Sequence, residues 1–313
     1  RDSNNTYNNG SERNKTGMIN SEAKTIGDIA IKIYRHESPR AVVQIAHGME
    51  EHQDRYIDFA EYLVSQGFTV VTANMRGHGS LAAKLGWFDE NDGWKRLLQD
   101  QINVRISIGK SFGRLPVILV AHSMGSIISR VLLKRYSRLW NKVVLTGYPN
   151  YNQAAGLGVL IADILCFTFG SEYHSKLLED LSTGVFNHAI KHPRTKFDWI
   201  CADNEVVDRF IQDPLCGFGF TASAYRDLFI LDKLMHEVYD CRNIKTALPI
   251  LLLSGGDDPC VGGRQGRRDS IETLLRCWFE NISSKIYPGM RHEILNERDR
   301  EVVWRDIVGF MLR

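Results

Sequence analysis

The chain has 313 residues, a length that suits one large domain or two ordinary ones and is sufficient to bury a substantial core. It contains 39 basic and 37 acidic side chains, and the formal net charge of +2 provides neither the basic excess that phosphate neutralisation requires nor an acidic tail. These figures argue against nucleic-acid binding, and we expect no nucleic-acid partner.

The first twenty residues are rich in Asn, Ser and Thr and nearly free of large apolar side chains. Because such a segment has little apolar surface to bury, we expect residues 1–20 to be disordered. Two glycosylation sequons, at Asn4 and Asn14, would matter only in a secretory pathway. The chain begins with Arg1 rather than Met, so the sequence leaves open whether a targeting segment precedes it.

From residue 26 onward, short apolar runs alternate with segments of helical length. The runs are rich in Val, Ile and Leu without polar alternation, which is typical of strands buried on both faces of a parallel sheet. We expect such strands at 41–46, 69–73, 117–121, 143–146 and 250–254, and a further short strand at 284–287. Helical patterns lie between them, over 57–66, 94–110 and 125–137. The alternation predicts an α/β fold with helices on both faces of a mostly parallel sheet.

One interval between strands is unusually long. About a hundred residues separate the strand expected at 143–146 from the strand expected at 250–254, whereas an ordinary crossover between parallel strands takes roughly thirty. We therefore predict that residues 151–235 form a helical cap over the sheet, and that 21–150 and 236–313 are the two parts of one core domain. An apolar run in this cap leaves three alternatives open: it walls an acyl channel, rests on a membrane or micelle surface, or packs the cap on the core. Its members are Leu157, Val159, Leu160, Ile161, Ile164, Leu165 and Phe167.

Two further patterns concern the compartment. The six cysteines are spread singly, without a CxxC motif or a Cys/His cluster of zinc-finger spacing. We interpret them as small core residues rather than as disulfides or ligands, which fits a reducing compartment. No apolar run reaches the length of about 18 residues that a membrane-spanning helix needs. We expect a soluble cytoplasmic protein whose contact with membranes is peripheral.

A serine stands where an expected strand meets an expected helix. Residues 117–125 read VILVAHSMG, and the helical pattern SIISRVLLKRY follows. This arrangement predicts a sharp turn that exposes the Ser123 hydroxyl above the sheet, at the positive end of the helix. The alternative is that Ser123 only caps the helix. The preceding strand and the small residues Ala121 and Gly125 favour a nucleophile instead.

A nucleophilic serine needs a base, and the base needs an acid that orients it. In sheets of this kind both follow later strands, in the order Ser, Asp, His. Asp257, Asp258 and Pro259 follow the strand expected at 250–254, and His292 follows the next strand. Asp258-Pro259 alone also suits a simple turn. Because both loops lie at the strand ends where ligands bind in α/β sheets, we interpret them as parts of one catalytic group.

The segment His47-Gly48-Met49 follows the first strongly apolar strand. We expect the Met49 N–H to meet the Met124 N–H in an oxyanion hole, with Gly48 allowing the backbones to approach closely. His47 and His52 do not have a metal-ligand spacing, and the HExxH motif is absent from the chain. We therefore expect neither a metal nor a cofactor.

Five segments resemble the α/β-hydrolase superfamily, and more narrowly its monoacylglycerol lipase, lysophospholipase and serine aminopeptidase-like branch. They are HGMEEHQDRY (47–56), NMRGHGS (74–80), AHSMG (121–125), SGGDDPCVG (254–262) and YPGMRHEILNE (287–297). The resemblance extends over residues 26–313 and implies an α/β-hydrolase fold with an inserted cap.

The resemblance also implies roles for single residues. It makes Ser123 the nucleophile, Asp258 the acid and His292 the base, with the backbone N–H groups of Met49 and Met124 as oxyanion donors.

Two positions in these motifs distinguish this sequence: the acid before Pro259 and the residue at 121. The family acid stands directly before proline, which favours Asp258 over the competing Asp257. Ala121 occupies the place of the usual glycine, a change that relaxes the turn at the serine without abolishing it.

The resemblance implies a serine carboxylester hydrolase that acts on single-chain lipid esters, of the monoacylglycerol or lysophospholipid type, through an acyl-enzyme. A serine aminopeptidase-like peptidase stays open and would need an acidic site for the substrate's free amine. A non-catalytic binding protein of this fold also stays open, although an intact set of Ser, Asp and His argues against it. The acids available in the cap are Glu172, Glu179, Asp198, Asp203, Glu205 and Asp208.

Overall fold

The structure is a computed structural model that describes residues 21–313. The segment predicted to be disordered, 1–20, and its two sequons lie outside the described residues. The eight strands described are β1 (Ser21–Ile26), β2 (Ile29–Tyr34), β3 (Ala41–Ala46), β4 (Phe68–Ala73), β5 (Val117–His122), β6 (Lys142–Thr146), β7 (Ile250–Gly255) and β8 (Ile282–Tyr287).

All eight strands belong to one sheet, in the order β1-β2-β4-β3-β5-β6-β7-β8. The pairs β1–β2 and β2–β4 are antiparallel, and every pair from β4–β3 to β7–β8 is parallel. The predicted α/β fold with a mostly parallel sheet is therefore confirmed. The six predicted strands agree with β3 to β8 to within two residues at either end.

Helices follow most of the strands. Those described are α1 (Ile57–Ser65), α2 (Gly93–Phe112), α3 (Met124–Tyr136), α4 (Ala155–Phe169), α5 (Lys176–Glu179), α6 (Asn204–Gln212), α7 (Ala222–His236), α8 (Gly263–Arg276) and α9 (Arg300–Leu312). None of the helices within residues 21–313 combines the length and the apolar composition of a membrane span.

The sheet separates two hydrophobic cores because consecutive strand residues face opposite sides. Val42 of β3 packs in a core that includes Leu97 of α2 and Ile128 of α3. Its neighbour Val43 packs in a second core with Phe59 of α1 and residues of α9. Both faces of the central strands are thus covered, which explains their continuous apolar sequences.

The first hairpin is not visible in the sequence pattern. Every residue of β1 is exposed or partly exposed, and this edge strand carries polar residues along most of its length. A strand with so little buried surface has no apolar run to reveal it. β2 alternates between buried and partly buried residues, as expected where one face is partly open.

Between β6 and β7 lie α4 to α7 and an irregular stretch, within the segment predicted to be a cap. Helices α4 and α7 pack against each other through small residues of α4: Gly158 would bring any added Cβ to 2.6 Å from the Phe229 ring. The division into core and cap itself stays a prediction.

The interpretation of all six cysteines as single core residues is wrong for two of them. Cys241 and Cys277 form a disulfide, with Cα atoms 5.5 Å apart. They are 36 residues apart in the chain, so no local motif announces the pairing. Cys201, Cys216 and Cys260 are single and buried, as expected.

Candidate active site

Ser123 occupies a strained turn between β5 and α3. Its backbone has φ 50° and ψ −119°, in a region that L-residues rarely adopt. The turn is held by neighbouring backbone: the Ser123 N–H donates to the Thr146 carbonyl at 3.0 Å. Gly125 is required for packing, because a Cβ there would lie 2.4 Å from the Ala46 carbonyl oxygen. The hydroxyl makes no capping bond to the helix and is free for another partner.

That partner is His292. Its Nε2 lies 2.8 Å from Ser123 Oγ, and its Nδ1 lies 3.0 Å from Asp258 Oδ2. The second Asp258 oxygen accepts a hydrogen bond from the Cys260 N–H at 2.8 Å. The structure thus brings the predicted nucleophile, base and acid into one hydrogen-bonded chain. The distances suit proton transfer from the hydroxyl to the imidazole.

The environment of His292 favours a base that the acid holds in place. The ring lies between Trp199 and His122, with centroids 4.9 and 4.8 Å away. Burial disfavours the charged imidazolium, but the Asp258 carboxylate outweighs it and raises the pKa of His292 above its usual value. Asp258 is itself buried, so its charge acts at short range with little screening by water.

The competing acid, Asp257, lies elsewhere. Its side chain is exposed, and its backbone N–H donates to the Met290 carbonyl at 3.0 Å. A one-residue step in the turn after β7 therefore separates a solvent-facing carboxylate from one that is hydrogen-bonded to His292.

The loop after β3 approaches the serine closely. A Cβ on Gly48 would lie 3.1 Å from the Ser123 Cβ and 2.8 Å from Glu51 Oε1. Met49 and Met124 both contribute to the cavity wall at Ser123. Among the described residues neither backbone N–H has a hydrogen-bond acceptor. Two unpaired donors beside the serine match the predicted oxyanion hole, and their role stays a prediction.

Sequence reasoning missed three residues that support these loops. Glu51 Oε1 accepts hydrogen bonds from the Gly48 N–H at 2.6 Å and the Tyr56 hydroxyl at 2.8 Å. Arg55 bridges Glu51 to Glu293, the residue after the base. The available signal was the i,i+4 spacing of Glu51 and Arg55. Nothing in the sequence points to Glu293 as the third member.

Two cavities meet at the serine. The larger, of about 480 Å³, is mainly apolar, and we name it the apolar cavity. Its apolar wall includes Met124, Ile127, Leu181, Val185, Phe186, Trp199, Leu228 and Phe229. None of the seven residues in the predicted apolar run of the cap lines it, so the apolar cavity does not support the alternative that this run walls an acyl channel. The irregular segment after α5 and one face of α7 provide the wall instead.

The α4 helix divides the apolar run between two environments. Leu157, Leu160, Ile164 and Phe167 are exposed, the last by 94% of its surface. Val159, Ile161 and Leu165 are partly buried against the first core. Packing of the cap on the core therefore accounts for one side of the helix only.

The smaller cavity, of about 280 Å³, is more polar, and we name it the polar cavity. It shares Ser123, Met49 and Trp199 with the apolar cavity and is lined further by Glu50 and Glu179. Burial raises the pKa of Glu50 to about 7.

Only one of the six cap acids considered above belongs to this site. Glu179 lines the polar cavity, and Lys196 lies 3.5 Å from its carboxylate. Glu205 is exposed, and the other four pair or hydrogen-bond elsewhere. These are Glu172 with Lys84, Asp198 with Thr195, Asp203 with the Glu205 N–H, and Asp208 with Arg194.

The two histidines considered as metal ligands are separated. His47 accepts a hydrogen bond from the Met75 N–H at 2.9 Å, within the core loop. His52 Nε2 lies 2.8 Å from Asp213 Oδ2, and the Cys216 sulfur is a third potential metal-ligand atom within 4.8 Å of both residues. The Arg55 guanidinium lies close enough to influence the pKa of both Asp213 and Cys216, and a fixed cation of this kind opposes a metal ion. The expectation of a metal-free enzyme stays a prediction.

Comparison with known proteins places these features in context. Residues 37–299 match the family described as serine aminopeptidase, S33. The chain is 26% identical over 278 residues to a monoacylglycerol lipase of Mycolicibacterium smegmatis, with 88% of this chain and 89% of that protein covered. It is 33% identical over 273 residues to a monoglyceride lipase homolog of monkeypox virus, with 83% and 84% covered.

A solved structure shows the same fold. A highly thermostable carboxyl esterase from Bacillus coagulans, in complex with glycerol, superposes with a TM-score of 0.85 at 23% identity. The superposition covers 95% of this chain and 98% of the esterase.

Proposed function

The chain belongs to the serine aminopeptidase, S33, family, in the monoacylglycerol lipase-like branch of the α/β-hydrolases, and we propose that it hydrolyses single-chain lipid esters through an acyl-enzyme on Ser123. The observation that carries the proposal is the chain of hydrogen bonds from Ser123 through His292 to Asp258. Ser123, at one end of this chain, lines the apolar cavity. Nucleophile, base and acid have the contacts that acyl transfer needs.

In the first half of the reaction, Ser123 Oγ attacks the ester carbonyl carbon while His292 Nε2 takes the hydroxyl proton. The carbonyl oxygen becomes negative and accepts hydrogen bonds from the Met49 and Met124 N–H groups, beside the positive end of α3. Asp258 stabilises the imidazolium that forms. When the tetrahedral intermediate collapses, His292 gives the proton to the leaving alcohol, and the acyl group stays on Ser123.

In the second half, water replaces the alcohol. His292 removes a proton from the water as its oxygen attacks the acyl carbon, and the same two N–H groups hold the new oxyanion. The proton then returns to Ser123 as the fatty acid leaves. Every proton is supplied and removed by His292, so the steps balance without a cofactor.

The two cavities suggest how the substrate lies. An acyl chain in the apolar cavity would be removed from water by the side chains that line it, which is the main source of its binding energy. The alcohol part would then face the polar cavity. Two relatives are named for monoacylglycerol or monoglyceride lipase activity, and we extend that substrate class to this chain. Lysophospholipids share the single acyl chain and are the closest alternative.

We further propose that α4 rests on the surface of lipid aggregates. Four of its apolar side chains, at positions 157, 160, 164 and 167, lie along one side of the helix and are more than half exposed. Contiguous exposed apolar surface of this kind is uncommon on soluble proteins without a partner. A lipid interface would cover it and would bring substrate to the cap.

The test is hydrolysis of a p-nitrophenyl ester series from acetate to palmitate, followed by monoacylglycerol and lysophospholipid in mixed micelles. We expect the wild type to be active and to prefer fatty over acetyl esters, and we expect Ser123→Ala to lose this activity. Absence of activity at every chain length would overturn the esterase proposal. Absence of covalent labelling of Ser123 as well would favour a binding protein without catalysis.

A second candidate function rests on the polar cavity. Glu50 and Glu179 line this cavity together with Ser123, and a substrate's free amine would compete with Lys196 for the Glu179 carboxylate. A peptidase of the aminopeptidase type is therefore tested with aminoacyl p-nitroanilides. Cleavage that requires the free amine, without cleavage of fatty esters, would replace the first proposal with this one.

A further inference from the structure

A buried carboxyl group interrupts the wall of the apolar cavity. Asp232 lies on α7 and is only 5% exposed. Leu228 and Phe229 precede it by four and three residues, so all three belong to the same side of the helix, and all three line the cavity. The position is one where a leucine would complete an apolar surface.

The two oxygens of Asp232 differ in their contacts. Oδ2 accepts a hydrogen bond from the Asn152 N–H at 2.8 Å. Among residues 21–313, Oδ1 has no hydrogen-bond donor. Burial raises the pKa of this group to about 7, against the stabilising effects of Asn152 and Arg130. Oδ1 is not fully shielded, because Asp232 lines the apolar cavity, and it can accept a hydrogen bond from a group in that cavity. An acyl chain that covers it without supplying a donor would leave a buried, unpaired acceptor, which costs free energy.

Arg130 does not fill the missing place. Its guanidinium is committed to backbone carbonyls, at 2.7 Å from Pro149 and 3.3 Å from Ser126. It acts on Asp232 only through its charge. The positive charge of Arg130 therefore acts on Asp232 without a direct hydrogen bond. Oδ1 still lacks a hydrogen-bond donor, and a neutral donor would suffice.

A second polar group lies nearby in the same wall. Asn150 Oδ1 is buried without a hydrogen-bond partner, and the residue lines the apolar cavity. Tyr151 is also part of the wall and senses the charge of Asp232. A cavity for a plain hydrocarbon chain would not gain from these groups, because Asp232 loses its contact with water when the chain enters and Asn150 Oδ1 stays without a donor.

We propose that Asp232 is a hydrogen-bond acceptor for a hydroxyl group carried on the acyl chain, so that the enzyme prefers esters of hydroxylated fatty acids over unsubstituted ones. This inference rests on the proposed esterase function and specifies its substrate class. The substrate hydroxyl donates to Oδ1 while Oδ2 keeps its bond to Asn152. A site built to bind a hydroxyl discriminates strongly against the analogue that lacks it, since the buried acceptor is then left unpaired.

The competing explanation is that Asp232 only anchors the loop before α4 through the Asn152 N–H. Asp232→Asn separates the two, because an asparagine oxygen still accepts from Asn152 while the cavity-facing atom becomes an amide nitrogen. A purely structural role predicts the same substrate ratios in this variant. Lys233→Gln, which neutralises the neighbouring charge on α7 outside the cavity wall, is the matched control.

The experiment measures kcat/KM for p-nitrophenyl esters of one acyl length, unsubstituted or with one hydroxyl at successive carbons. At pH 8, where Asp232 with its pKa of about 7 is mostly ionised, we expect the wild type to prefer the hydroxyl at the best position by about tenfold or more, the effect of one charge-assisted hydrogen bond. A methoxy group there should lose the preference, because it cannot donate. Asp232→Asn presents an amide nitrogen that donates to a hydroxyl and to a methoxy oxygen alike, so the hydroxyl-to-methoxy ratio should come close to one. Lys233→Gln should leave that ratio unchanged.

The possible results distinguish failure of the role proposed for Asp232 from failure of the esterase proposal. Hydrolysis of plain esters with no preference for any hydroxyl position overturns the role of Asp232 and leaves the esterase proposal standing. An unchanged preference for the hydroxyl over the methoxy ester in Asp232→Asn overturns it equally. Absence of hydrolysis of every ester overturns the esterase proposal, and the inference about Asp232 with it.

Discussion

Arg55 binds Glu293, the residue that follows the proposed base, through both ends of its guanidinium: Nη1 to Oε1 at 2.6 Å and Nη2 to Oε2 at 2.7 Å. Nη1 also donates to Glu51 Oε2 at 2.8 Å. Because Glu51 accepts a hydrogen bond from the Gly48 N–H, one partly buried arginine connects the loop of the base with the loop of the oxyanion donors. The distance between these two loops is therefore set by a rigid, bidentate contact.

Replacement of Arg55 by Met should impair both stability and turnover. It leaves Glu51 and Glu293 buried without their cation, and removal of one partner of a buried ion pair costs about 3–5 kcal/mol. A displaced His292 or Gly48 should lower kcat about 10²-fold with little change in KM, since substrate contacts are untouched. Thermal unfolding and steady-state kinetics measure the two effects.

Two further variants test whether Arg55 acts by position. Arg55→Lys keeps the charge without the planar fork and should fall between wild type and Met in kcat. Adding Glu293→Gln to Arg55→Met should recover part of the stability, because one unpaired charge disappears. Equal kcat in Arg55→Met and wild type would show that the loops hold their positions without the bridge.

Ser123→Ala should abolish ester hydrolysis and covalent labelling by a fluorophosphonate. Loss of a nucleophile that works together with its base lowers kcat by about 10⁴-fold or more. Ser129→Ala is the control, since Ser129 is a buried serine on the same helix whose hydroxyl only bonds the Gly125 carbonyl. Mass spectrometry of the labelled peptide identifies the modified serine, and a label on any other serine would contradict the assignment.

Substitution of the two neighbouring aspartates should have very unequal effects. Asp258→Asn removes the charge that orients and stabilises protonated His292, and the expected loss in kcat is about 10⁴-fold. Asp257 is exposed and makes no contact with His292, so Asp257→Asn should stay within about twofold of wild type. Measurement of kcat for the two variants and the wild type at one pH is sufficient to distinguish the two aspartates. Comparable losses in both variants would show that the acid is not fixed by the observed hydrogen bond.

The titration of His292 should depend on Asp258. Only the neutral imidazole accepts the serine proton, so kcat/KM should rise with pH through the pKa of His292, which lies above its ordinary value of 6.5. In Asp258→Asn the effect of burial is less strongly opposed, and the pKa should fall. NMR titration of labelled histidines, with His292→Gln for assignment, measures the shift directly. Coincident titration in both proteins would contradict the electrostatic account.

The sequence is most informative where burial imposes a pattern. Strands β3 to β7 are covered on both faces, and their sequences rich in Val, Ile and Leu reveal them to within about two residues. β1 lies at the edge with an exposed surface, and α8 carries many charged residues, so neither produces a clear apolar signal. The Cys241–Cys277 contact depends on how the segment after α7 meets the end of α8, which no local pattern encodes.

The candidate site, too, could be predicted from the sequence only in part. Ser123, His292 and the Asp257-Asp258 pair are visible because strand ends in a parallel sheet converge on one edge. The choice between the two aspartates needs a family pattern, since adjacent residues in a turn point in different directions. The cavities depend on packing of the irregular segment after α5, and they are not visible from the sequence. Asp232 is a single acid in a helix that the sequence would assign to the solvent side.

Replacement of Leu160 and Phe167 by Ser should weaken binding to lipid surfaces and spare the chemistry. Both side chains are exposed on α4, by 57% and 94%, and neither lines a cavity at the serine. Burial of a large apolar side chain contributes about 1.5–3 kcal/mol, so loss of two should reduce partitioning onto phospholipid vesicles at least tenfold, roughly. Sedimentation with vesicles measures binding, and p-nitrophenyl acetate hydrolysis should stay within about twofold. Leu275→Ser, an exposed leucine on α8, is the control. If the double variant sediments like wild type and still hydrolyses micellar monoacylglycerol at full rate, α4 is not the surface that meets the lipid.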